Sequence, residues 1–444
     1  MMMQRRDLLK AMAAFGVYAM VPAFARGANG AKKYDGVTLN VSTFSTAYPT
    51  LLRQWLPEFE ALTGIKVNLD TPSFPVYNQR ADLELSTKGA AYDVVNVTFI
   101  YSSRWINSGW LTPLDEFIAN PNLTSAEWDV HDFLQGGIAP ETGRDGKLYG
   151  IPWVVEGMLA GASRFDLVTE AGFKFPDTTD ELVNVLQAVN KKQRVAGYVT
   201  DSHYGWTFIP YLQAFGGNVF RNPPDDLFPT LDTPEAVAAA DYFARLIREF
   251  GPNGGLTYTA DQSTQALKLG RVNFSDSSLA YLAQLGDPAS SRTLKTAGFG
   301  QMVQGPAGRF PGMAVHGLGI PAGSKNKEAA WAFIQWALSR QVTRRAIQAG
   351  YGSPTRRSDI TSPAYRSKQI INGVDLAGLS LSAMDRAAQG GYMKYRTVDV
   401  YPQVDQQLNK AIALIVSGQL SAKQAMQQAQ TASIADLKRA GAKI

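Results

Sequence analysis

From Val37 to Phe44 the chain alternates, with Val37, Leu39, Val41 and Thr43 on one face. That period of two predicts a β-strand. Leu51, Leu52, Trp55, Leu56, Phe59 and Leu62 then recur at helical spacing, and Gly64 stands where a helix C-cap is needed. Ile65–Leu69 alternates again, which completes a strand–helix–strand unit with a short crossover, the building block of a parallel sheet. Tyr92–Val97, rich in β-branched residues, predicts a further strand. The first part of the chain therefore reads as α/β. Its loops after Phe44 and after Val97 fall at the carboxyl ends of strands, where open parallel sheets bind ligands.

Helical spacing dominates the second half. Thr178-Thr179-Asp180-Glu181 forms a capping box ahead of Leu182, Val185, Leu186 and Val189. Thr233 precedes Pro234, a cap and a first-turn proline, and Val237, Ala240, Phe243, Leu246 and Ile247 continue the stripe. Asn326–Leu338 carries Trp331, Ile334 and Leu338 on one face, and Ser421 with Gln424 starts a last helix. Val272–Phe274 predicts a short strand, with Asp276, Ser277 and Ser278 in the loop after it; Gly312–Gly319 predicts a flexible approach to a later strand. Gly/Pro-rich intervals at 143–152, 251–255, 305–311 and 350–354 punctuate these elements.

The opening residues read differently. Arg5-Arg6, Leu8-Leu9-Lys10, an apolar run from Ala11 to Val21 and Ala23-Phe24-Ala25 have the order of a secretory signal over residues 1–25, of twin-arginine type. The apolar run is shorter than the ~20 residues a membrane span needs. The rest, about 420 residues, is long enough for two domains. The formal charge of +5 falls to +3 once Arg5, Arg6, Lys10 and Asp7 are set aside, and the cations are scattered, so nucleic acid is not expected as a partner. The chain has no cysteine and 3 histidines, His131, His203 and His316, far apart. Disulfides, thiolate metal sites and Cys nucleophiles are thereby excluded, and no cofactor or metal is expected. Neither a G-x-S-x-G elbow nor a G-x-x-x-x-G-K-[ST] phosphate loop occurs.

Several landmarks then stand in a recognisable order: Gly64-Ile65-Lys66-Val67, Tyr92-Asp93-Val94-Val95, Gly109–Asp115, Asp145–Pro152, Phe215-Gly216-Gly217 and Gly319–Trp331. From about Val37 to the last helix the chain resembles the family 1 extracellular solute-binding proteins of ABC importers, of the maltose-binding, sugar and polyol type. The resemblance implies an α/β clamshell of two discontinuous lobes joined by three hinge crossings. These are expected near Ile151–Gly157, Gly300–Gly305 and Gly350–Thr355, giving lobes of 37–152 plus 304–350 and 157–300 plus 355–444. It also implies a monomeric periplasmic receptor, not an enzyme, that takes a small solute between its lobes and docks on ABC permease subunits in the inner membrane.

Sugars and polyols stack their C–H faces on flat rings and bind their hydroxyls to planar donors and acceptors. With 8 Trp, 18 Tyr and 21 Phe the chain has rings in supply. Glu156, in the apolar hinge run Pro152–Gly157, matches a ligand-contacting glutamate of the family, and Trp153 beside it is a stacking ring or hinge packing. Trp206, Tyr101, Ser45, Asp276, His316 and Arg396 complete the candidate ligand-binding set. Ser45, Thr46 and Ala47 stand where a maltose-binding relative has a charged pair, and no Trp follows Asp276, so the resemblance points away from maltodextrin. An exported glycoside hydrolase using Glu156 with Asp276 is the enzymatic alternative; a non-sugar or anionic solute held by Arg396 or Arg104 is the other.

Overall fold

The computed structural model describes residues 33–190, 194–391 and 398–444. The signal segment and Arg396 lie outside the described residues.

Among the described residues ten strands precede a short hairpin of Ile370–Ile371 and Val374–Asp375: β1 Thr38–Ser42, β2 Lys66–Asp70, β3 Val94–Thr98, β4 Ile151–Ala162, β5 Ala196–Tyr198, β6 Phe220–Asn222, β7 Asp226–Pro229, β8 Val272–Ser278, β9 Gly298–Gln301 and β10 Met313–Gly319. The main sheet runs β2-β1-β3-β10-β4-β8-β5, with β9 also on β4. β1 pairs in parallel with β2 and β3, as a strand–helix–strand unit requires. The helix between them, Ala47–Thr63, buries Tyr48, Leu52, Trp55, Leu56 and Phe59. It ends at Gly64, whose φ of 80° is left-handed and whose N–H caps Glu60. Capping boxes at Thr178–Glu181 and Ser421–Gln424 and the Thr233 cap are all formed. Such caps contribute about 1 kcal/mol each.

The long strand β4 explains the two lobes. Its twelve residues are all buried. The first half pairs antiparallel with β10, from Ile151↔Leu318 to Gly157↔Met313. The second half pairs with β8 and β9, from Met158↔Ser278 to Ala162↔Gly298. One strand thus serves two sheets' worth of partners, and the apolar core divides accordingly. One cluster draws on Tyr34 to Val154 and Leu318 to Tyr351; another draws mainly on Met158 to Val303 and Tyr365 to Leu437. Each lobe is therefore built from separated stretches of chain.

Two expectations are corrected here. Asp276, Ser277 and Ser278 do not lie in a loop: β8 continues through them because the second half of β4 offers a backbone partner to each. His316 is not in a flexible approach but in the middle of β10, paired with Thr98 on one side and Val154 on the other. The glycines of 312–319 suit close packing in a central strand: a Cβ on Gly317 would stand 2.6 Å from Glu141.

Candidate functional site at the cleft between the lobes

The carboxyl ends of the first-lobe strands each carry a ring. Phe44 follows β1, Phe74 follows β2 and Phe99 follows β3. All three turn onto His316, with ring centres at 4.7, 5.6 and 5.6 Å, and Trp153 of β4 stands at 6.2 Å. Burial holds the imidazole neutral, its pKa pushed down to about 3. This is an apolar wall with one neutral donor–acceptor at its centre. Trp153 forms part of its floor: its Nε1 donates to Asn96 at 2.8 Å and its ring stacks on Tyr48 at 5.9 Å.

Further along β4 lies Glu156, 5% exposed. The Ser353 hydroxyl donates to its carboxylate, and the Ser278 hydroxyl and Ala280 N–H also favour the charged form. Burial outweighs them and pushes the pKa up to about 7. Tyr281, Tyr351 and Tyr365 stand close enough to feel its charge. Glu156 is thus enclosed by β4, the end of β8 and the Tyr351–Ser353 segment.

In the second lobe, Asp276 is clamped by two phenols. Tyr198 donates at 3.0 Å and Tyr211 donates to the same oxygen. Burial pushes this carboxyl up to about 6. Val154, opposite His316, and Ala160, opposite Asp276, are six residues apart on β4, or about 20 Å of strand. Glu156 lies four residues, about 13 Å, from the Asp276 register.

A fourth group spans the lobes. Tyr101, half-buried and stacked on Trp105 at 5.6 Å, lies within the field of Asp405, and burial pushes its hydroxyl up to about 12. Asp405 accepts from Tyr401 at 3.2 Å and Asn409 at 3.1 Å, with His203 at 3.3 Å. His203 is the cap of the short helix Tyr204–Thr207 that carries Trp206. Trp206 is 9% exposed and its Nε1 is buried without a hydrogen-bond partner. Gly205 lets this helix approach: a Cβ there would lie 1.8 Å from Asp405 Oδ1.

The structure therefore strings His316, Glu156 and Asp276 along β4 and its partner strands, with Trp153 against His316, and puts Tyr101 within the field of Asp405, beside the Trp206 helix. Ser45 is exposed, its N–H bonded to Pro72. Sequence reasoning missed Phe44, Phe74, Phe99 and Asp405. The three phenylalanines could have been found, since each closely follows a strand; Asp405 sits inside a helix and gives no such signal. Among the described residues no group of His, Cys, Asp or Glu is disposed to hold a metal ion. Nor is any helix there long and apolar enough to cross a membrane.

Comparison with known proteins agrees with this architecture. The family model for the bacterial extracellular solute-binding protein matches residues 45–344. An erythritol/L-threitol-binding protein of Mycolicibacterium smegmatis is 23% identical over 80% of this chain and 82% of its own length. A mannitol-binding protein of Pseudomonas aeruginosa is 25% identical over 82% and 85%. Among solved structures, a solute-binding protein of Agrobacterium vitis with bound D-mannitol superposes with a TM-score of 0.81, at 23% identity, covering 91% of this chain and 99% of that one. One from Agrobacterium radiobacter in complex with ribitol also gives 0.81, at 22% identity, covering 90% and 99%. The fold is the two-lobed α/β clamshell of these structures, and the chain belongs to the bacterial extracellular solute-binding proteins.

Proposed function

We propose that this protein is a periplasmic receptor that captures a sugar or, by preference, an alditol between its lobes and delivers it unchanged to an ABC importer. The observation that carries the reading is the chemistry along β4: the ring wall of Phe44, Phe74, Phe99 and His316 stands at the ends of the first-lobe strands, Glu156 lies further along the same strand, and the field of Asp405 reaches Tyr101. Rings take the C–H edges of a polyhydroxylated chain, and carboxylates accept from its hydroxyls. Trp206 and Tyr101 add flat surface and a phenolic hydroxyl from opposite lobes. Carboxylates in the cleft disfavour an anionic solute. The relatives named for erythritol, threitol and mannitol support an acyclic ligand. The lobes are proposed to divide near the expected bounds, with the third passage drawn out between Tyr351, in the first core, and Tyr365, in the second.

Thermal unfolding of the protein, refolded to strip carried solute, tests this against alditols, mono- and disaccharides, amino acids and phosphorylated glycosides. A solute at ~100 times its dissociation constant adds about 2.7 kcal/mol of stability. The expected result is a raised midpoint with an alditol or sugar. A rise confined to amino acids or phosphorylated compounds overturns the reading.

A further inference from the structure

We infer that Asp399 is a latch that holds the two lobes together and thereby sets the affinity of the cleft for every ligand it accepts. The inference rests on the clamshell reading above. Oδ1 of Asp399 accepts from the Ser103 hydroxyl at 2.6 Å and from Asn107 Nδ2 at 2.6 Å. Asn107 also donates to Ser103 at 3.0 Å, so the two donors brace one another. The Arg144 guanidinium stands 3.9 Å from the same oxygen. All three partners belong to the first lobe: Ser103 and Asn107 to the helix Ser102–Asn107, Arg144 to the loop before β4. Asp399 belongs to the second lobe, with Val398 and Val400 on either side buried in its core. One carboxylate oxygen thus collects two hydrogen bonds and one ion pair, all from across the cleft.

The latch is wired to the candidate site on both sides. Tyr101 immediately precedes the donor helix and stacks on Trp105 within it. Asp399 lies two residues before the helix Tyr401–Val416, which carries Asp405. The field of Asp405 reaches Tyr101. A solute that bridges these two groups draws together the elements that bear the latch, so binding and latching are one closing motion. A bond made only in the closed form shifts the open–closed balance and leaves the choice among ligands alone, because it touches none of them. Asp399 is a positioning residue in this account.

The test uses Asp399→Ala in the full chain, which has no natural cysteine. Spin labels at Ser86→Cys and Lys174→Cys, exposed positions on opposite lobes, report the interlobe distance with and without ribitol or D-mannitol. Two part-exposed hydrogen bonds at a few-fold each amount to about a tenfold change. Asp399→Ala is expected to lower the closed-to-open ratio by about tenfold. The dissociation constants of both alditols should rise by about the same factor, through faster release. Distance distributions that superimpose on the parent's, or unchanged affinities, overturn the latch. An altered ribitol-to-mannitol preference also overturns it, by making Asp399 a ligand contact. If neither alditol binds the parent, the polyol reading fails, while the distance distributions still decide the latch. Should Asp399→Ala not fold, Asn107→Ala, on the exposed end of its helix, removes one donor and is expected to give about a threefold effect in the same two readouts.

Discussion

Replacing Glu156 with glutamine isolates the cost of one buried charge in the middle of β4. Burial moves the carboxyl from 4.5 to about 7, and its neighbours are neutral donors: the Ser353 and Ser278 hydroxyls and the Ala280 N–H. The folded value lies above the unfolded one, so the folded protein keeps a proton that the unfolded chain releases. Stability from this group is therefore fully present below pH 4.5 and is lost as pH rises to about 7. At about 1.4 kcal/mol per pH unit, the loss approaches ~3 kcal/mol and levels off by about pH 8. Glutamine has nothing to ionise. Urea unfolding of the ligand-free protein and of Glu156→Gln, from pH 4.5 to 8.5, gives the difference between them and cancels other titrating groups. The variant is expected to gain about 3 kcal/mol relative to its parent between pH 5 and 8, whatever constant offset the amide introduces. A difference that stays flat across this range would refute the burial and charge-poor surroundings assigned to Glu156.

Three further outcomes follow from particular contacts. Gly205→Ala places a Cβ against Asp405 Oδ1 and 2.9 Å from Asn409 Nδ2; the carboxylate must turn away, and calorimetry should show ligand affinity falling by about tenfold or more. An unchanged affinity would remove Asp405 from the site. Tyr211→Phe takes one of two phenol donors from Asp276, whose carboxyl titrates near 6. Denaturation should show a loss of about 1–3 kcal/mol at pH 8 and a smaller one at pH 4.5, where the acid is protonated; equal losses contradict the pairing. His316 is held at about 3, below its unfolded 6.5, so its stability is present above pH 6.5 and is lost as pH falls toward 3. His316→Gln should weaken this acid sensitivity by about 2–3 kcal/mol between pH 6.5 and 4.5, and parallel stability curves would contradict it.

Local pattern was enough for the first strand–helix–strand unit, because each element announces itself within a dozen residues: the alternation of Val37–Thr43, the stripe ending at Phe59, the cap at Gly64. The capping boxes were legible for the same reason. The mixed sheet was not. β10 joins it between β3 and β4 from about 150 residues beyond β4, and nothing in Gly312–Gly319 distinguishes a central strand packed against Glu141 from a glycine-rich loop. The extension of β8 through Asp276–Ser278 likewise depends on the partner strand β4 and not on the polar residues themselves. Glu156 and His316 stood out because a carboxylate and an imidazole in apolar runs demand an explanation. Asp405 and Asp399 did not, since acids at helix starts and on helix faces are ordinary; their meaning comes from Tyr101, Ser103 and Asn107 across the cleft.

The most direct test of the central claim is calorimetric titration of the refolded protein with ribitol, D-mannitol, erythritol and a set of cyclic sugars, with the ligand then recovered and chromatographed. The account predicts one-to-one binding of at least one of these solutes, loss of affinity in Glu156→Gln or Trp206→Ala, and recovery of the solute unchanged. Binding that survives both substitutions, conversion of the solute to a product, or no binding to any polyhydroxylated compound would contradict it.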